Sequence, residues 1–180
     1  MLIYRNGDDD GNARREKQWD GFLNVIFWQR ELLLHAQRDF LAQRFPDYDP
    51  ARRDLWESHN RPWDFDHILA SKYVYNRKDN SPFRAVSNEW AYMLGNLRAW
   101  PFEDNRSEKA EVASVKIAGA REEIASFLDS DEIEGFSVGD AVRWEKDAAQ
   151  KFISACRKRL VRIYANWHES MEVAELFKQP

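Results

Sequence analysis

The chain reads WDFDHILA at residues 63–70 and LGNLRAWPFEDN at residues 94–105, and these two stretches decide its fold. Each contains a short apolar run bounded by polar or turn residues, which predicts one strand over residues 65–69 and another over residues 97–100. A proline follows the second strand, and we expect a helix to start near Asn105. The pattern therefore predicts two short strands and then a helix.

Four polar residues lie where these three elements would meet: Asp66, His67, Asn96 and Asn105. Neighbouring side chains of a strand point to opposite faces, so Asp66 and His67 share a pocket only where the strand ends or bends. Aspartate offers a hard oxygen ligand for Mg²⁺, and neutral histidine is a general base near pH 7. The short connection between the second strand and the helix predicts that Asn96 and Asn105 join the same pocket.

Each of these residues also has a simpler interpretation. An isolated Asp-His pair is usually a turn or a surface pair, and Asp64, two residues earlier, would hydrogen-bond its own loop. Gly-Asn at positions 95–96 is a common turn dipeptide because both residues tolerate positive φ. Asn105 is a good N-cap for the helix that follows. The catalytic interpretation rests on the residues occurring together and in this order.

Helical sequence surrounds this insert. Residues 19–45 are rich in helix formers and predict one helix or two, ended by Pro46. Residues 108–128 predict a helix, and residues 129–140 predict an acidic break. Asp140 can then cap a long amphipathic helix. Its apolar positions are Trp144, Ala148, Phe152, Cys156, Leu160, Ile163 and Trp167. We expect a mostly α protein with a small β insert, of the α+β class.

The domain prediction divides the 180-residue chain into a polar lead-in and one domain. Residues 1–18 form the lead-in, which is typical of a domain cut from a longer protein. Within the domain, residues 19–45 and 111–180 form a helical frame around the insert at residues 46–110.

Composition excludes several classes of protein. Aromatic residues at 14%, including eight Trp, are too many for a disordered chain. A single cysteine excludes an internal disulfide and a cysteine-based zinc site, and the apolar positions around Cys156 predict an inert buried thiol. The sequence contains no apolar run of membrane-spanning length and no signal peptide at Met1, so we expect a cytoplasmic protein. The remaining histidines, His35, His59 and His168, are expected to be packed or solvated.

A net charge of −4 excludes a protein surface that is basic throughout, but it is compatible with a local basic face. Cations near the predicted pocket that could contact phosphates are Lys72, Arg77, Lys78, Arg98, Arg106 and Lys109. Residues 151–162 hold five basic residues and no acidic one. Such a run is most often a solvated helix face. If it does bind nucleic acid, the acidic residues 129–134 should lie on the far side of the molecule.

The segments Asp66-His67-Ile68, Gly95-Asn96-Leu97 and Asn105 followed by Lys109 resemble the HNH (ββα-metal, or His-Me finger) endonucleases. The likeness is to the nuclease half of GmrSD-type modification-dependent restriction proteins, and it covers roughly residues 20–167. Ala70 stands where that family usually has proline, which affects the stiffness of the loop. Asn105 stands for the last histidine of the HNH pattern. Each motif is weak alone, and their joint order makes the resemblance specific.

The resemblance implies a ββα-metal insert and a metal-dependent DNA endonuclease, the cutting module of a bacterial restriction or phage-defence system. Mg²⁺ or Mn²⁺ would be bound by Asp66 and Asn105. His67 would take a proton from the attacking water, while Asn96 would hold the His67 loop in place. The DNA is expected to be double-stranded. A ParB-like nucleotide-hydrolysing domain, the other half of such proteins, would be the partner, and this chain has no glycine-rich phosphate loop.

Two alternatives use the same residues. One is a catalytically silent HNH-like module that binds nucleic acid or protein, and the other is an RNA-cutting toxin. Binding of a divalent metal separates the silent module from the nuclease, because a silent module has no metal-bound state to stabilise.

Overall fold

The computed structural model describes residues 28–48, 61–74, 90–108, 111–138 and 146–172. Its two strands are β1 (Trp63–His67) and β2 (Leu97–Pro101). Its helices are α1 (Arg30–Ala36), α2 (Arg38–Arg44), α3 (Ser71–Val74), α4 (Phe102–Glu108), α5 (Ala113–Lys116), α6 (Ala120–Ala125), α7 (Ser130–Ser137) and α8 (Lys146–Ser170). A 3₁₀ turn at Leu94–Asn96 leads into β2. The chain is mostly helical with a small two-stranded sheet, as the α+β prediction stated.

The sheet is antiparallel, and its register pairs Asp66 with Arg98 and His67 with Leu97. Both predicted strands are present, although the first lies two residues earlier than expected. Helix α4 starts at Phe102, directly after β2, so the predicted order of strand, strand and helix is confirmed. Asn105 is the fourth residue of that helix. The interpretation of Asn105 as an N-cap is therefore wrong.

Two predictions about the helical frame need correction. The helix expected over residues 108–128 is split into α5 and α6, because Gly119 between them has a φ of 115°, which ends a helix. The expected acidic break contains helix α7. Asp129 caps this helix by accepting a hydrogen bond from the Glu132 amide, and the Glu132 side chain accepts one from the Asp129 amide. This capping box starts the helix, and the acidic residues Asp131 and Glu132 in its first turn interact favourably with the helix dipole.

The first helical region is two helices, α1 and α2, and Gln37 lies at the break. Its side chain is buried and binds the edge of β2. Gln37 Oε1 accepts from the Ala99 amide at 2.8 Å, and Nε2 donates to the Ala99 carbonyl at 3.2 Å. Nε2 also donates to the carbonyl of Ala125 at 2.6 Å. Gln37 thus satisfies backbone groups at the free edge of β2, as a third strand would.

Helix α8 provides the largest apolar face of the core. Its buried residues are Ala149, Phe152, Ala155, Cys156, Arg159, Leu160 and Ile163. They pack in one cluster with residues of α1, α7, the 3₁₀ turn and the loop after β1. Cys156 is a buried free thiol, as predicted. Trp144 and the expected cap Asp140 lie outside the described residues.

Arg159 connects α8 to the start of β2. Its guanidinium is fully buried and donates to five backbone carbonyls, those of Leu94, Gly95, Leu97, Ser126 and Phe127, at 2.6–3.0 Å. Burial lowers the pKa of Arg159 to about 10, so it stays protonated at neutral pH. Gly95 lies so close to α8 that a Cβ there would clash with the Cys156 carbonyl oxygen. Helix α8 therefore packs directly against the Gly-Asn-Leu segment and fixes its position.

None of the helices that the structure describes is long and apolar enough to cross a membrane.

Candidate functional site

Asp66 and His67 lie inside β1 rather than beyond its end. Their side chains consequently point to opposite faces of the strand. His67 is the last residue of β1, and the two side chains have different partners, Lys116 and Arg98 for Asp66 and the Tyr92 ring for His67. The candidate site therefore has an Asp66 side and a His67 side, with different surroundings.

The Asp66 side is a buried cluster of charges. Lys116 Nζ donates to both carboxylate oxygens of Asp66, at 2.8 and 2.9 Å, and to the carbonyl oxygen of His67 at 2.9 Å. Arg98 Nε donates to Asp66 Oδ2 at 3.0 Å. The side chains of Arg98 and Lys116 are fully buried, and that of Asp66 is 7% exposed. These three residues, hereafter the Asp66 trio, join β1, β2 and α5.

This arrangement does not fit a divalent metal ion bound to Asp66. Both carboxylate oxygens already accept hydrogen bonds from ammonium or guanidinium groups, and the trio has a net charge of +1, which repels a second cation. Among the described residues no group of three or more His, Cys, Asp or Glu side chains could hold a metal ion. A metal could use Asp66 only after Lys116 has moved away.

The His67 side is less polar and half-exposed. The edge of the Tyr92 ring meets the imidazole at right angles, with 5.4 Å between the ring centroids. Burial is the main cause of a lowered pKa for His67, the charges of Lys116 and Arg30 lower it further, and Asp66 raises it. His67 is therefore neutral at pH 7. Its Nε2 is buried and has no hydrogen-bond partner among the described residues.

Asn96 fastens the loop that follows His67. Its Oδ1 accepts from the Leu69 amide at 2.9 Å, and its Nδ2 donates to the carbonyls of Leu69 and Ala91 at 2.9 and 2.8 Å. The Ile68 amide donates to the backbone carbonyl of Asn96 at 2.8 Å. The side chain is fully buried and has no surface for a substrate. This geometry matches the positioning role that the resemblance implies for Asn96.

The other expected residues divide into three groups. Asn105 is half-exposed on α4, while Lys72 and Arg106 are exposed, over the rings of Tyr73 and Phe102 at 4.7 and 5.8 Å. Arg98 belongs to the Asp66 trio, and its buried side chain presents no surface to a phosphate. The prediction that Arg98 contacts nucleic acid is therefore wrong for this arrangement. Arg77, Lys78 and Lys109 lie outside the described residues, as does His59.

The basic run of α8 pairs with the acidic helix α7. Lys151 binds Glu134 at 2.8 Å, Lys158 binds Asp131 at 3.1 Å, and Arg162 binds Glu132 at 2.7 Å. The acidic residues 129–134 therefore lie against the basic run. The prediction that they lie on the far side of the molecule is wrong. Pairing neutralises much of the charge that would attract a phosphate backbone.

Asp64 and the remaining histidines take the simpler roles. Asp64 Oδ1 accepts from the Phe65 amide at 2.8 Å and from Arg61 Nη2 at 3.2 Å, which holds its own loop. His35 is half-buried in α1. His168 lies on α8 against the Tyr164 ring, at a centroid distance of 5.7 Å.

Two open grooves are lined by residues of α2 and α6 among others. One, of about 560 Å³, is lined by Trp100, Asp104 and Lys116 among others. The second, of about 740 Å³, lies beside α2 and is lined by Phe40, Arg44, Arg121 and their neighbours. His67, Asn96 and Asn105 line neither groove.

Sequence reasoning missed Lys116, Arg30 and Tyr92. Lys116 looks like a surface lysine of a predicted helix, and its partner Asp66 lies 50 residues away. Arg30 lies among the alternating charges of the first helix, and nothing in that pattern points toward β1. Tyr92 lies three residues before Gly95, the start of the Gly-Asn-Leu segment, and this proximity is the only signal that could have suggested a place near His67.

No family model, curated protein or solved structure matches this chain. The function proposed next therefore depends on the residues and their geometry, together with the motif resemblance.

Proposed function

We propose that this chain is an endonuclease that hydrolyses phosphodiester bonds of double-stranded DNA, with His67 as the general base. The observation that supports it best is His67 itself, a neutral imidazole at the end of β1 whose Nε2 has no hydrogen-bond partner in the described part of the chain. A buried polar atom without a partner costs about 1–3 kcal/mol. Such a cost is most often found where a substrate or a water completes the hydrogen bond.

The arrangement around His67 adds support. The strand that ends in His67 pairs with β2, the chain enters α4 directly, and Asn96 fixes the intervening loop. This is the ββα order of the HNH nucleases that the motifs resemble. Lys72 and Arg106, both exposed, are the described cations we propose as phosphate contacts. The same resemblance supports a role as the cutting module of a restriction or phage-defence system.

The proposed step is hydrolysis by an attacking water. The water oxygen forms a bond to phosphorus while His67 Nε2 takes one of its protons. The bond from phosphorus to the 3′ oxygen breaks, and that oxygen takes a proton from solvent. Nε2 is buried in the observed arrangement, so the step requires a movement that exposes it to water and substrate.

Nicking of supercoiled plasmid tests this proposal. The assay compares the wild type with His67→Ala and Asn105→Ala, each with EDTA, Mg²⁺ or Mn²⁺, so that any need for a metal is measured directly. His168→Ala is the matched control, because it removes a histidine from the far end of α8. Loss of general-base catalysis lowers the rate by about 10²–10⁴. Normal nicking by a folded His67→Ala would contradict the assignment of the base.

The Asp66 trio favours a second function, that of a silent module which keeps the scaffold and binds nucleic acid or protein. If both oxygens of Asp66 stay bound to Lys116 and Arg98, the metal site that the resemblance implies is closed. A silent module predicts no nicking under any metal condition and no change of melting temperature with Mn²⁺. Metal-dependent nicking that is lost in His67→Ala would exclude it.

A further inference from the structure

We propose that Arg30 is the phosphate-binding residue of the His67 side, and that it holds a non-bridging oxygen of the scissile phosphodiester next to the imidazole. The inference rests on the proposed function, since it names a substrate contact of that same site. It adds a residue from α1, more than 30 positions before the motifs.

The position of Arg30 is set by Phe65. Residues 65 and 67 of a strand point to the same face, so the Phe65 ring and the His67 imidazole are neighbours on the surface of β1. The guanidinium carbon of Arg30 lies 4.7 Å from the centre of the Phe65 ring. A guanidinium over an aromatic face is held by a cation–π interaction that leaves its N–H groups available. Arg30 is therefore oriented on the His67 side without using its hydrogen-bond donors.

The donors of Arg30 are available within the described part of the chain. Its side chain is exposed, and no carboxylate among the described residues pairs with it. Arg61 provides a contrast on the same ring, at 5.0 Å. Arg61 donates to the Trp63 carbonyl and to Asp64, so its guanidinium is already committed. Of the two arginines that contact the Phe65 ring, Arg30 is therefore the one whose N–H groups are available to bind an anion.

The charge of Arg30 reaches the imidazole, because it is one of the cations that lower the pKa of His67, after burial and Lys116. Lys116 itself is buried on Asp66, whereas Arg30 is exposed to ligands. The planar fork of a guanidinium matches two phosphate oxygens. An anion bound there would lie within the electrostatic reach of His67, where a water activated by Nε2 could attack it.

Inorganic phosphate is the probe for this site. The chain has four histidines, so the imidazole signals in an NMR spectrum are few, and His67→Gln identifies the one from His67. At neutral pH and constant ionic strength, added phosphate should shift the His67 signal in a saturable way. Arg30→Gln should weaken that response at least tenfold, and Arg30→Lys, which keeps the charge without the fork, should restore part of it.

Arg44→Gln is the matched control. Arg44 is also an exposed arginine over a phenylalanine ring, that of Phe45 at 5.6 Å, but it is not among the charges that shift the pKa of His67. Its removal should leave the phosphate response of His67 unchanged. The inference is overturned if the wild-type His67 signal does not respond to phosphate, or if Arg30→Gln responds as the wild type does.

The two proposals fail in different ways. If plasmid is never nicked but phosphate shifts the His67 signal through Arg30, the nuclease is refuted and the anion site stands. If the wild type nicks and Arg30→Gln nicks at the same rate, the anion site is refuted and the nuclease stands. The NMR titration needs neither metal nor activity, so it gives a result in both cases.

Discussion

Asp66 and His67 are neighbours in β1, and they differ in charge, burial and hydrogen bonding. Asp66 is one of three charged side chains that satisfy one another away from water. His67 is neutral and half-exposed, one of its nitrogens has no partner among the residues that the structure describes, and the exposed Arg30 lies over the neighbouring Phe65 ring. A saturated cluster stabilises the fold and resists new ligands, whereas an unsatisfied group can bind a substrate. We therefore propose a structural role for the Asp66 side and the chemistry for the His67 side.

The largest expected effect tests the structural side. Asp66→Asn leaves Lys116 and Arg98 buried without their carboxylate, which should lower the free energy of unfolding by about 3–5 kcal/mol. His67→Gln removes a group that bonds nothing in the described structure, so it should cost about 1 kcal/mol or less. Urea unfolding followed by tryptophan fluorescence measures both.

If Asp66→Asn and His67→Gln lowered the free energy of unfolding by similar amounts, the distinction between the Asp66 side and the His67 side would not hold. If Asp66→Asn does not fold at all, Asp66→Glu decides the matter. It keeps the charge, and it should recover a folded protein if the ion pairs are what the trio contributes.

A smaller effect, on metal affinity, asks whether the trio closes a metal site. Lys116→Gln removes the ammonium that binds both oxygens of Asp66. If Lys116 is what excludes a cation, the variant should bind Mn²⁺ at least about tenfold more tightly than the wild type, equivalent to about 1.4 kcal/mol. Free Mn²⁺ is measured by electron paramagnetic resonance.

Lys151→Gln, which breaks an exposed pair with Glu134, is the matched control and should leave Mn²⁺ affinity unchanged. The gain should also disappear in the double variant Lys116→Gln, Asp66→Asn. An unchanged affinity in Lys116→Gln would mean that Asp66 is a structural residue only.

Local pattern predicted the strands because each is short and followed by a strong turn or helix signal. The capping box of α7 was also readable, since Asp129 precedes Glu132 by three residues. It was overlooked because the acidic composition of that segment suggested a loop. Glycine has a poor helix propensity, so Gly119 is a signal in the sequence for the break between α5 and α6, and its positive φ is what the structure adds.

The long-range pairings were beyond sequence reasoning. Nothing local distinguishes Arg159, which binds five carbonyls inside the protein, from Lys158, which lies at the surface. Lys116 donates to the carbonyl of His67, 49 residues earlier in the chain. Arg30 lies over the ring of Phe65, 35 residues later. A helix pattern predicts which face is buried, and it does not predict which strand that face will meet.

The smallest expected effect is the pH dependence of the His67 side. The pKa of His67 is lowered in the folded protein, chiefly by burial, so over the window just below its ordinary value of 6.5 the unfolded chain binds a proton that the folded chain does not. The free energy of unfolding should therefore fall as the pH falls through that window. His67→Gln should remove this component. His35→Gln, which removes another histidine of lowered pKa, should leave it in place.

For the proposed nuclease, the same shift places the acid limb of kcat/KM below pH 6.5, and Arg30→Gln should move that limb upward because one cation near the imidazole is gone. An acid limb above pH 6.5, or one that does not respond to Arg30→Gln, would mean that the titrating base lies elsewhere.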